Sequence, residues 1–207
     1  MKLADQIVAQ LQQAGVRRIY GIVGDSLNPV VDAVRRTGGA ARGGIDWIHV
    51  RHEEGAALAA AADAQLTGEL AVCAGSCGPG NLHLINGLYD AQRSGAPVLA
   101  IASHIPSSQI GQSFFQETHP DRLFNECSVY SEMISTTDQS PRVVRSAIQK
   151  ATTLHGVSVV TLPGDVADLE ATAEAPEWKP VMGASVVPDT ACLAELAGVL
   201  NKADNVA

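Results

Sequence analysis

Helix-like and strand-like segments alternate along most of this chain, and this alternation limits the possible folds more than any other feature. The strand candidates are short apolar runs such as residues 45–50, 70–73 and 98–102, and the segments between them carry apolar residues at helical spacing. Crossover helices between short apolar strands are typical of a parallel sheet that is covered on both faces. We therefore predict an α/β fold over residues 1–165, a three-layer α/β/α sandwich with a mostly parallel central sheet.

Turn residues separate the predicted elements. We expect strands over residues 18–22, 45–50, 70–73, 98–102, 132–135 and 157–162. We expect helices over residues 55–67, 82–94, 141–154 and 190–202, one before Gly15 and one between Ser26 and Gly38. Asp25 or Ser26 is expected to cap the second helix, and Asp138 or Ser140 the helix before the last strand. Short polar side chains at these positions can bond the free amides of a helix start.

The sequence changes character after residue 165. Residues 166–189 are rich in Ala, Glu and Pro and lack apolar periodicity, which predicts a linker. Residues 190–207 open with an amphipathic helix candidate whose apolar face no later segment covers, so we expect a second, truncated domain to begin there. Within the first domain, residues 103–125 lack periodicity, and a stretch of that length usually forms a functional loop.

Charge and composition exclude several classes of function. The formal net charge is −8, and the 14 Lys and Arg residues are scattered, whereas nucleic-acid binding needs a clustered basic surface. No run of about eighteen apolar residues is present and the amino terminus lacks a signal-peptide core, which predicts a cytoplasmic protein. The four cysteines and six histidines lack the spacing of a disulfide framework or a zinc site, so we predict no metal site.

Two acidic residues, Glu53 and Glu54, lie where the strand candidate of residues 45–50 stops and an alanine-rich helix candidate begins. In a parallel α/β sheet, ligands collect beyond the carboxyl ends of the strands. Glu53 is therefore a candidate catalytic residue. The alternative is that an acid in the first turn only complements the helix dipole.

A glycine-rich loop, residues 74–81, lies between a buried strand candidate and a helix start. Its glycines let the backbone approach a ligand closely, and its amides suit an anion or a polar ring. The spacing matches neither the GxGxxG dinucleotide fingerprint nor a P-loop. A thiol nucleophile at Cys77 is an alternative, but Pro79 stands where a nucleophile elbow has glycine. Otherwise Cys77 is a small packed residue.

Several motifs together resemble, in order and spacing, the pyrimidine-binding domain of thiamine diphosphate enzymes. They are Tyr20–Ser26, Arg51–Glu54, Gly75–Asn81 and Pro97–Ile101, and the resemblance covers residues 3–165. Within that superfamily, three stretches look most like the quinone-dependent pyruvate dehydrogenases, also called pyruvate oxidases. These stretches are Cys73–Leu88, His104–Ser108 and Phe115–Pro120.

The resemblance implies a role for Glu53. The matching glutamate hydrogen-bonds N1′ of the cofactor's aminopyrimidine and promotes the imino tautomer, which removes the proton from thiazolium C2. These enzymes decarboxylate pyruvate and pass electrons to FAD and then to a quinone. The residues that the resemblance places at the cofactor are Glu53, Gly24, Asp25, Ser26, Ser76, Gly78, Pro79, Gly80 and Asn81. Phe115 and Gln116 match positions beside the substrate, and the alternative for Phe115 is ordinary core filling.

One part of the family pattern is missing. Relatives hold the diphosphate and Mg²⁺ with a Gly-Asp-Gly signature followed by an Asn, and neither Gly24–Ser26 nor Gly164–Val166 matches it. We therefore expect Mg²⁺ and FAD to bind to domains of the complete enzyme that lie outside this chain. We also expect the chain alone not to turn over pyruvate. Its last helix is similar to the opening of the relatives' central domain, which is of the FAD- or nucleotide-binding type.

The resemblance also bears on partners, and two alternatives stay open. It implies pyruvate and a quinone as reactants, a homo-oligomer in which these domains pair, and a peripheral membrane contact only through regions outside the chain. The first alternative is the pyrimidine-binding subunit of a split 2-keto acid decarboxylase, which would co-purify with a second chain. The second is a non-catalytic dimerising fragment, which would not bind thiamine diphosphate in a calorimetric titration.

Overall fold

The computed structural model of the protein describes residues 1–172, 177–178 and 186–205. The strands are β1 (Arg18–Gly21), β2 (Asp46–His49), β3 (Ala71–Gly75), β4 (Val98–His104), β5 (Tyr130–Met133) and β6 (Val157–Pro163). The helices are α1 (Leu3–Gln13), α2 (Asn28–Arg36), α3 (Glu53–Thr67), α4 (Pro79–Arg93), α5 (Pro120–Leu123), α6 (Ser140–Leu154), α7 (Gly164–Ala167) and α8 (Thr190–Leu200).

The strands form one sheet in the order β2-β1-β3-β4-β6-β5, and every neighbouring pair is parallel. Helices cover both faces, so the predicted three-layer α/β/α fold is confirmed. Because all strands run in one direction, their carboxyl ends meet at one edge, where the loops that follow them can build a site. β2, β1 and β3 are neighbours, which brings the loops after these three strands together.

The strands bury side chains on both faces because successive residues of a strand point to opposite sides. In β4, Leu99 and Ile101 join a core with apolar residues of α1, α2 and α6. Val98 and Ala100 join a second core against α3 and α4. All residues of β4 are buried, which explains the continuous apolar run in its sequence.

Small residues let α3 and α4 pack closely. α3 buries a set of alanines along its length, and Gly87 of α4 contacts that helix. A Cβ added to Gly87 would lie 2.6 Å from Cβ of Ala57 and 2.6 Å from the backbone N of Leu58. No larger residue therefore fits at this position unless one of the helices moves. The close packing fixes the amino ends of α3 and α4 relative to each other.

Two predicted helix starts are wrong by a few residues. α3 begins at Glu53 rather than Gly55, and α4 begins at Pro79 rather than Leu82. Both observed starts obey general preferences, since acids are stabilising in the first turn of a helix and proline is favoured at its first position. Glu53 is therefore the first residue of α3, directly beyond the loop from β2.

The predicted side-chain caps of two helices are also wrong. Neither Asp25 nor Ser26 caps α2, and neither Asp138 nor Ser140 caps α6. A 3₁₀ turn precedes α2, and the Ser26 hydroxyl bonds to Ser76 instead. In α6 the cap position is Gln139, whose side chain bonds the backbone of Met133 and Ser135 rather than the helix.

The segment after β6 packs against the amino terminus. α7 overlaps only the first two residues of the predicted linker, and beyond it Ala171 N donates to Met1 O at 2.9 Å while Leu3 N donates to Leu169 O at 2.8 Å. Residues 173–176 and 179–185 of the predicted linker lie outside the described residues, and the division into domains stays a prediction. The side chains of α8 are all exposed. None of the helices in the described ranges is both long and apolar enough to cross a membrane.

Candidate functional site

The loops after β1, β2 and β3 converge at the carboxyl edge of the sheet. β2 leads to Glu53 at the start of α3, and β3 leads through Ser76 to α4. β1 lies between these two strands, and the loop after it carries Gly24 and Ser26. Three distant parts of the sequence therefore meet at one place, as the resemblance implied.

Glu53 is largely buried, with 12% of its side chain exposed. Its Oε2 lies 3.1 Å from Nδ1 of His83. Its Oε1 has no hydrogen-bond partner among the described residues and lies 3.2 Å from the position that a Cβ on Gly80 would take. One carboxylate oxygen is therefore anchored, and the other faces the glycine loop and can bond a ligand there.

Two histidines to which the sequence analysis gave no role complete the surroundings of Glu53. The rings of His52 and His83 stack with centroids 4.3 Å apart and an interplanar angle of 27°. Nδ1 of His52 accepts a hydrogen bond from Glu54 N at 3.3 Å and so caps α3. The position of His83 near the site could have been inferred from the sequence. His83 follows Pro79 by about one turn, so both residues lie at the amino end of α4.

Serines and a glycine tie the loop after β1 to the loop after β3. Oγ of Ser26 lies 2.9 Å from Oγ of Ser76 and accepts a hydrogen bond from Cys77 N at 3.0 Å. A Cβ on Gly24 would lie 2.5 Å from Oγ of Ser76, so only glycine lets the two loops come this close. From β4, Ser103 Oγ donates a hydrogen bond to Ser26 O at 2.6 Å. The structure thus brings Gly24, Ser26 and Ser76 together, as the resemblance implied, and their contact with a cofactor stays a prediction.

Three other predicted cofactor-binding residues, Asp25, Asn81 and Pro79, take no part in the contacts between these two loops. Asp25 is exposed and lines a separate open cavity of about 470 Å³ with residues of α2 and α7. Asn81 is fully buried, and its Nδ2 donates to Ser103 O at 2.7 Å, which makes it a brace between α4 and β4. Pro79 is exposed at the first position of α4.

The two predicted substrate-pocket residues, Phe115 and Gln116, differ in their contacts with the rest of the protein. Phe115 is 83% exposed, so the core-filling alternative is wrong. Gln116 lies against the glycine loop, with its backbone O 3.0 Å from the position of a Cβ on Gly78. Gly78 has φ +67°, a conformation that favours glycine. The loop between β4 and α5 therefore contacts the glycine loop through Gln116, and the functional role predicted for residues 103–125 stays a prediction.

Cys77, the alternative nucleophile, lies buried beside this site. Cys77 is 7% exposed, and its Sγ donates to Oε1 of Gln116 at 3.6 Å. All four cysteines are free. Burial raises the pKa of the Cys73 thiol to about 12 and that of the Cys127 thiol to about 11. Thiols with such pKa values stay protonated at neutral pH and are unreactive.

Asp165, in the second Gly-Asp pair of the sequence, has a structural role. Its Oδ1 accepts from Ser107 N at 2.9 Å and its Oδ2 from Ser107 Oγ at 2.6 Å. Partial burial alone would raise the pKa of this carboxyl, but the bonds from Ser107 outweigh burial and hold the pKa below its usual value. Within residues 1–172, 177–178 and 186–205, no group of three or more His, Cys, Asp or Glu could hold a metal.

A second cavity, of about 460 Å³, lies at the carboxyl ends of β4, β5 and β6. His104 lines it and is 2% exposed, and its Nδ1 has no hydrogen-bond partner in the described chain. Burial lowers the pKa of the His104 imidazole, although the nearby Glu117 carboxylate acts in the opposite direction. The folded protein therefore holds this ring neutral at pH values where an unfolded chain begins to protonate it.

The lowered pKa of His104 predicts a pH dependence of stability. The unfolded chain takes up a proton near pH 6.5, whereas the folded chain does so only at lower pH. The titration of His104 therefore does not affect the free energy of unfolding above about pH 6.5. The free energy of unfolding decreases as the pH falls from there toward the pKa of His104 in the folded protein. In urea unfolding, His104→Gln should lose less stability between pH 7 and pH 5.5 than the wild type. His155→Asn, at an exposed helix end, should follow the wild type; equal losses in all three proteins would refute the prediction.

Comparison with known proteins shows which family the sequence matches. Residues 1–123 match the family model described as "Thiamine pyrophosphate enzyme, N-terminal TPP binding domain". An uncharacterized 42.6 kDa protein from Pseudomonas amyloderamosa is 58% identical over 99% of this chain. The putative thiamine pyrophosphate-containing protein YdaP of Bacillus subtilis is 41% identical over 80% of the chain. Pyruvate oxidase of Lactiplantibacillus plantarum is 39% identical over 83% of it.

The similarity extends to a second kind of enzyme and covers only part of each relative. Several acetolactate synthases are 31% to 34% identical to this chain. The chain spans 51% of the length of the Pseudomonas protein and 28% of the length of YdaP and of pyruvate oxidase. The matches therefore cover only part of larger proteins.

Proposed function

Because this chain belongs to the thiamine pyrophosphate enzymes, as their N-terminal TPP-binding domain, we propose that it activates the cofactor of a pyruvate-oxidising enzyme. Glu53 is the proposed catalytic residue. The reaction is the oxidative decarboxylation of pyruvate to acetate and carbon dioxide, as the motif resemblance implies. Mg²⁺ and FAD would bind to other domains of the complete enzyme, and a quinone would accept the electrons.

The position of Glu53 is the observation that carries this proposal. The carboxylate lies at the carboxyl edge of a parallel sheet and is 12% exposed; His83 bonds one of its oxygens, and no described residue bonds the other. The second oxygen, Oε1, lies 3.2 Å from the position that a Cβ on Gly80 would take, so it faces the backbone of the glycine loop. A pyrimidine ring with a basic nitrogen directed at Oε1 fits this arrangement. A merely dipole-complementing acid would not need burial or an anchor.

The residues of this chain would bind and orient the cofactor and control one proton. Thiamine diphosphate, when bound, supplies an electron-accepting thiazolium ring for decarboxylation. Glu53 would hold a proton between Oε1 and the pyrimidine nitrogen. The joined loops of Ser26 and Ser76, together with Gly78 and Gly80, would form the wall against which the ring lies. Gln116 would close the site from the substrate side.

Pyruvate oxidation is proposed over acetolactate synthesis for two reasons. The identity with pyruvate oxidase is 39%, whereas the acetolactate synthases reach 31% to 34%. In addition, the stretches Cys73–Leu88, His104–Ser108 and Phe115–Pro120 look most like pyruvate oxidases. Acetolactate synthesis is the second candidate, because the same domain occurs in those enzymes.

We also propose that two such domains pair through the outer surface of α3 and α4. Leu58 and Leu82 are exposed there, with 40% and 46% of each residue accessible. Exposed leucines beside the predicted cofactor site suit a contact between copies of the chain, since apolar surface gains stability when it is covered.

The assay that tests the proposed activity uses the polypeptide encoded by the whole reading frame that contains this chain. With thiamine diphosphate, Mg²⁺, FAD, pyruvate and ferricyanide, we expect acetate to form while two ferricyanide ions are reduced per pyruvate. Formation of acetolactate without ferricyanide reduction would instead support the second candidate. The 207-residue chain alone is expected to show neither reaction, because the diphosphate signature is absent from it.

A further inference from the structure

Glu53 is the last member of a series of contacts that begins at the backbone of α3. Glu54 N donates to Nδ1 of His52 at 3.3 Å, the His52 ring stacks on the His83 ring at 4.3 Å, and His83 Nδ1 lies 3.1 Å from Glu53 Oε2. The series runs from the start of α3 to His83 of α4 and then returns to Glu53 at the start of α3. It therefore closes a loop of contacts around the Glu53 carboxylate.

The hydrogen bonds define where the protons lie in this series. His52 Nδ1 accepts a hydrogen bond from a backbone amide, so the neutral His52 ring carries its proton on Nε2. His83 Nδ1 faces a carboxylate oxygen, which has no proton to give when ionised, so His83 donates and carries its proton on Nδ1. The two stacked rings therefore have opposite tautomers.

The stack places the His52 ring against the His83 ring, which is the ring that bonds the carboxylate. The side chain of His83 is 44% exposed, so without support its ring could rotate into water. His52 provides that support, because its own ring is held by the cap at the start of α3. The bond from His83 to Oε2 restricts rotation of the carboxylate, and Oε1 then lies over Gly80. The direction of the free oxygen is thus set by a residue of α4.

We propose that His52 and His83 are a positioning pair that holds the Glu53 carboxylate in the orientation its proton transfer requires. His83 acts through its bond to Oε2, and His52 acts through the stack. The proposal rests on the proposed function of Glu53 and adds to it two residues that act through Glu53 without touching the cofactor. One consequence, that Nδ1 of His83 carries the proton, can be tested without an activity assay.

The test without activity is the tautomer of His83, measured by long-range ¹H–¹⁵N NMR on the 207-residue chain. In the wild type we expect Nδ1 of His83 to carry the proton and Nε2 to be unprotonated at pH 8. In Glu53→Ala the acceptor is gone, and we expect the ring to shift to the Nε2–H tautomer that a histidine side chain in water prefers. His155, which is far along the chain and exposed, serves as an internal reference. An Nε2–H tautomer in the wild type would overturn the proposal.

The functional test uses the complete holoenzyme and three variants. His83→Ala should lower kcat about tenfold or more with KM for pyruvate unchanged, because misplacing a catalytic group affects the chemical step rather than binding. His83→Asn should recover most of kcat, since its amide can donate from a position near Nδ1. His52→Asn keeps a good helix cap but removes the ring, so it should also lower kcat. Equal kcat in His83→Ala and the wild type would contradict the proposal.

The two tests separate failure of the positioning pair from failure of the proposed function. If the complete enzyme does not use pyruvate, the NMR result still reports whether His83 donates to Glu53. If instead Glu53→Gln abolishes activity while His83→Ala does not, the proposed function stands and the positioning pair is wrong.

Discussion

Replacing Glu53 by Gln is expected to lower the rate of pyruvate turnover by the complete enzyme by at least about 100-fold, the usual effect of removing a general acid or base. Gln has nearly the same shape and can still bond a ring nitrogen, but it cannot exchange a proton with it. The loss should appear in kcat, because substrate and cofactor still bind. The measurement is the steady-state rate with ferricyanide as the electron acceptor.

Glu54→Gln is the matched control for this substitution. Glu54 is adjacent in the sequence and in the same helical turn, but it is 40% exposed and its Oε1 bonds Asn86. We expect its rate to stay within about threefold of the wild type, because an exposed side chain away from the reacting atoms contributes little to catalysis. A loss in Glu54→Gln as large as in Glu53→Gln would show that general charge at the helix start matters rather than one oriented carboxylate.

The second large effect is expected on stability, from Gly87→Val. Its added carbons would overlap Ala57 and the backbone of Leu58, and the overlap can be relieved only if α3 and α4 separate. Overpacking of this kind costs about 2–3 kcal/mol of unfolding free energy. The measurement is urea unfolding of the chain, followed by far-ultraviolet circular dichroism. An unchanged m-value would show that the shift of the midpoint reflects a change in stability.

Gly55→Ala is the control for this helix substitution. Gly55 also lies in a helix, but a Cβ there would meet nothing within 4 Å. Because alanine favours a helix more than glycine does, Gly55→Ala should raise the unfolding free energy, by up to about 1 kcal/mol. If Gly87→Val unfolded within about 0.5 kcal/mol of the wild type, a typical surface effect, α3 and α4 would not be packed as closely as described.

The sheet could be predicted because its signal is local. Each strand is an apolar run and each crossover helix has its own periodicity, so the runs at residues 70–73 and 98–102 were enough to indicate buried parallel strands. The position of Glu53 followed from the same logic, because the end of a parallel strand is where ligands collect. These statements needed no knowledge of which helix contacts which.

The details of the site could not be predicted, because they depend on contacts between distant residues. Ser26 was expected to cap its own helix, and instead it bonds Ser76 across the sheet edge. Asn81 was expected at the cofactor, which stays a prediction, and the sequence did not indicate that its Nδ2 also braces β4 through Ser103. The stack of His52 on His83 exists only because α3 and α4 pack side by side. Local preferences favour caps and turns, and tertiary hydrogen bonds override them when they satisfy buried groups.

The exchange of the C2 proton of bound thiamine diphosphate for deuterium reports most directly on Glu53, because it needs cofactor activation but no pyruvate and no electron acceptor. The rate should be measured by quenched flow and NMR in the complete enzyme and in its Glu53→Gln variant, both saturated with the cofactor. We expect exchange in Glu53→Gln to be slower by at least about 100-fold. Exchange at the wild-type rate in Glu53→Gln would contradict the role of this carboxylate.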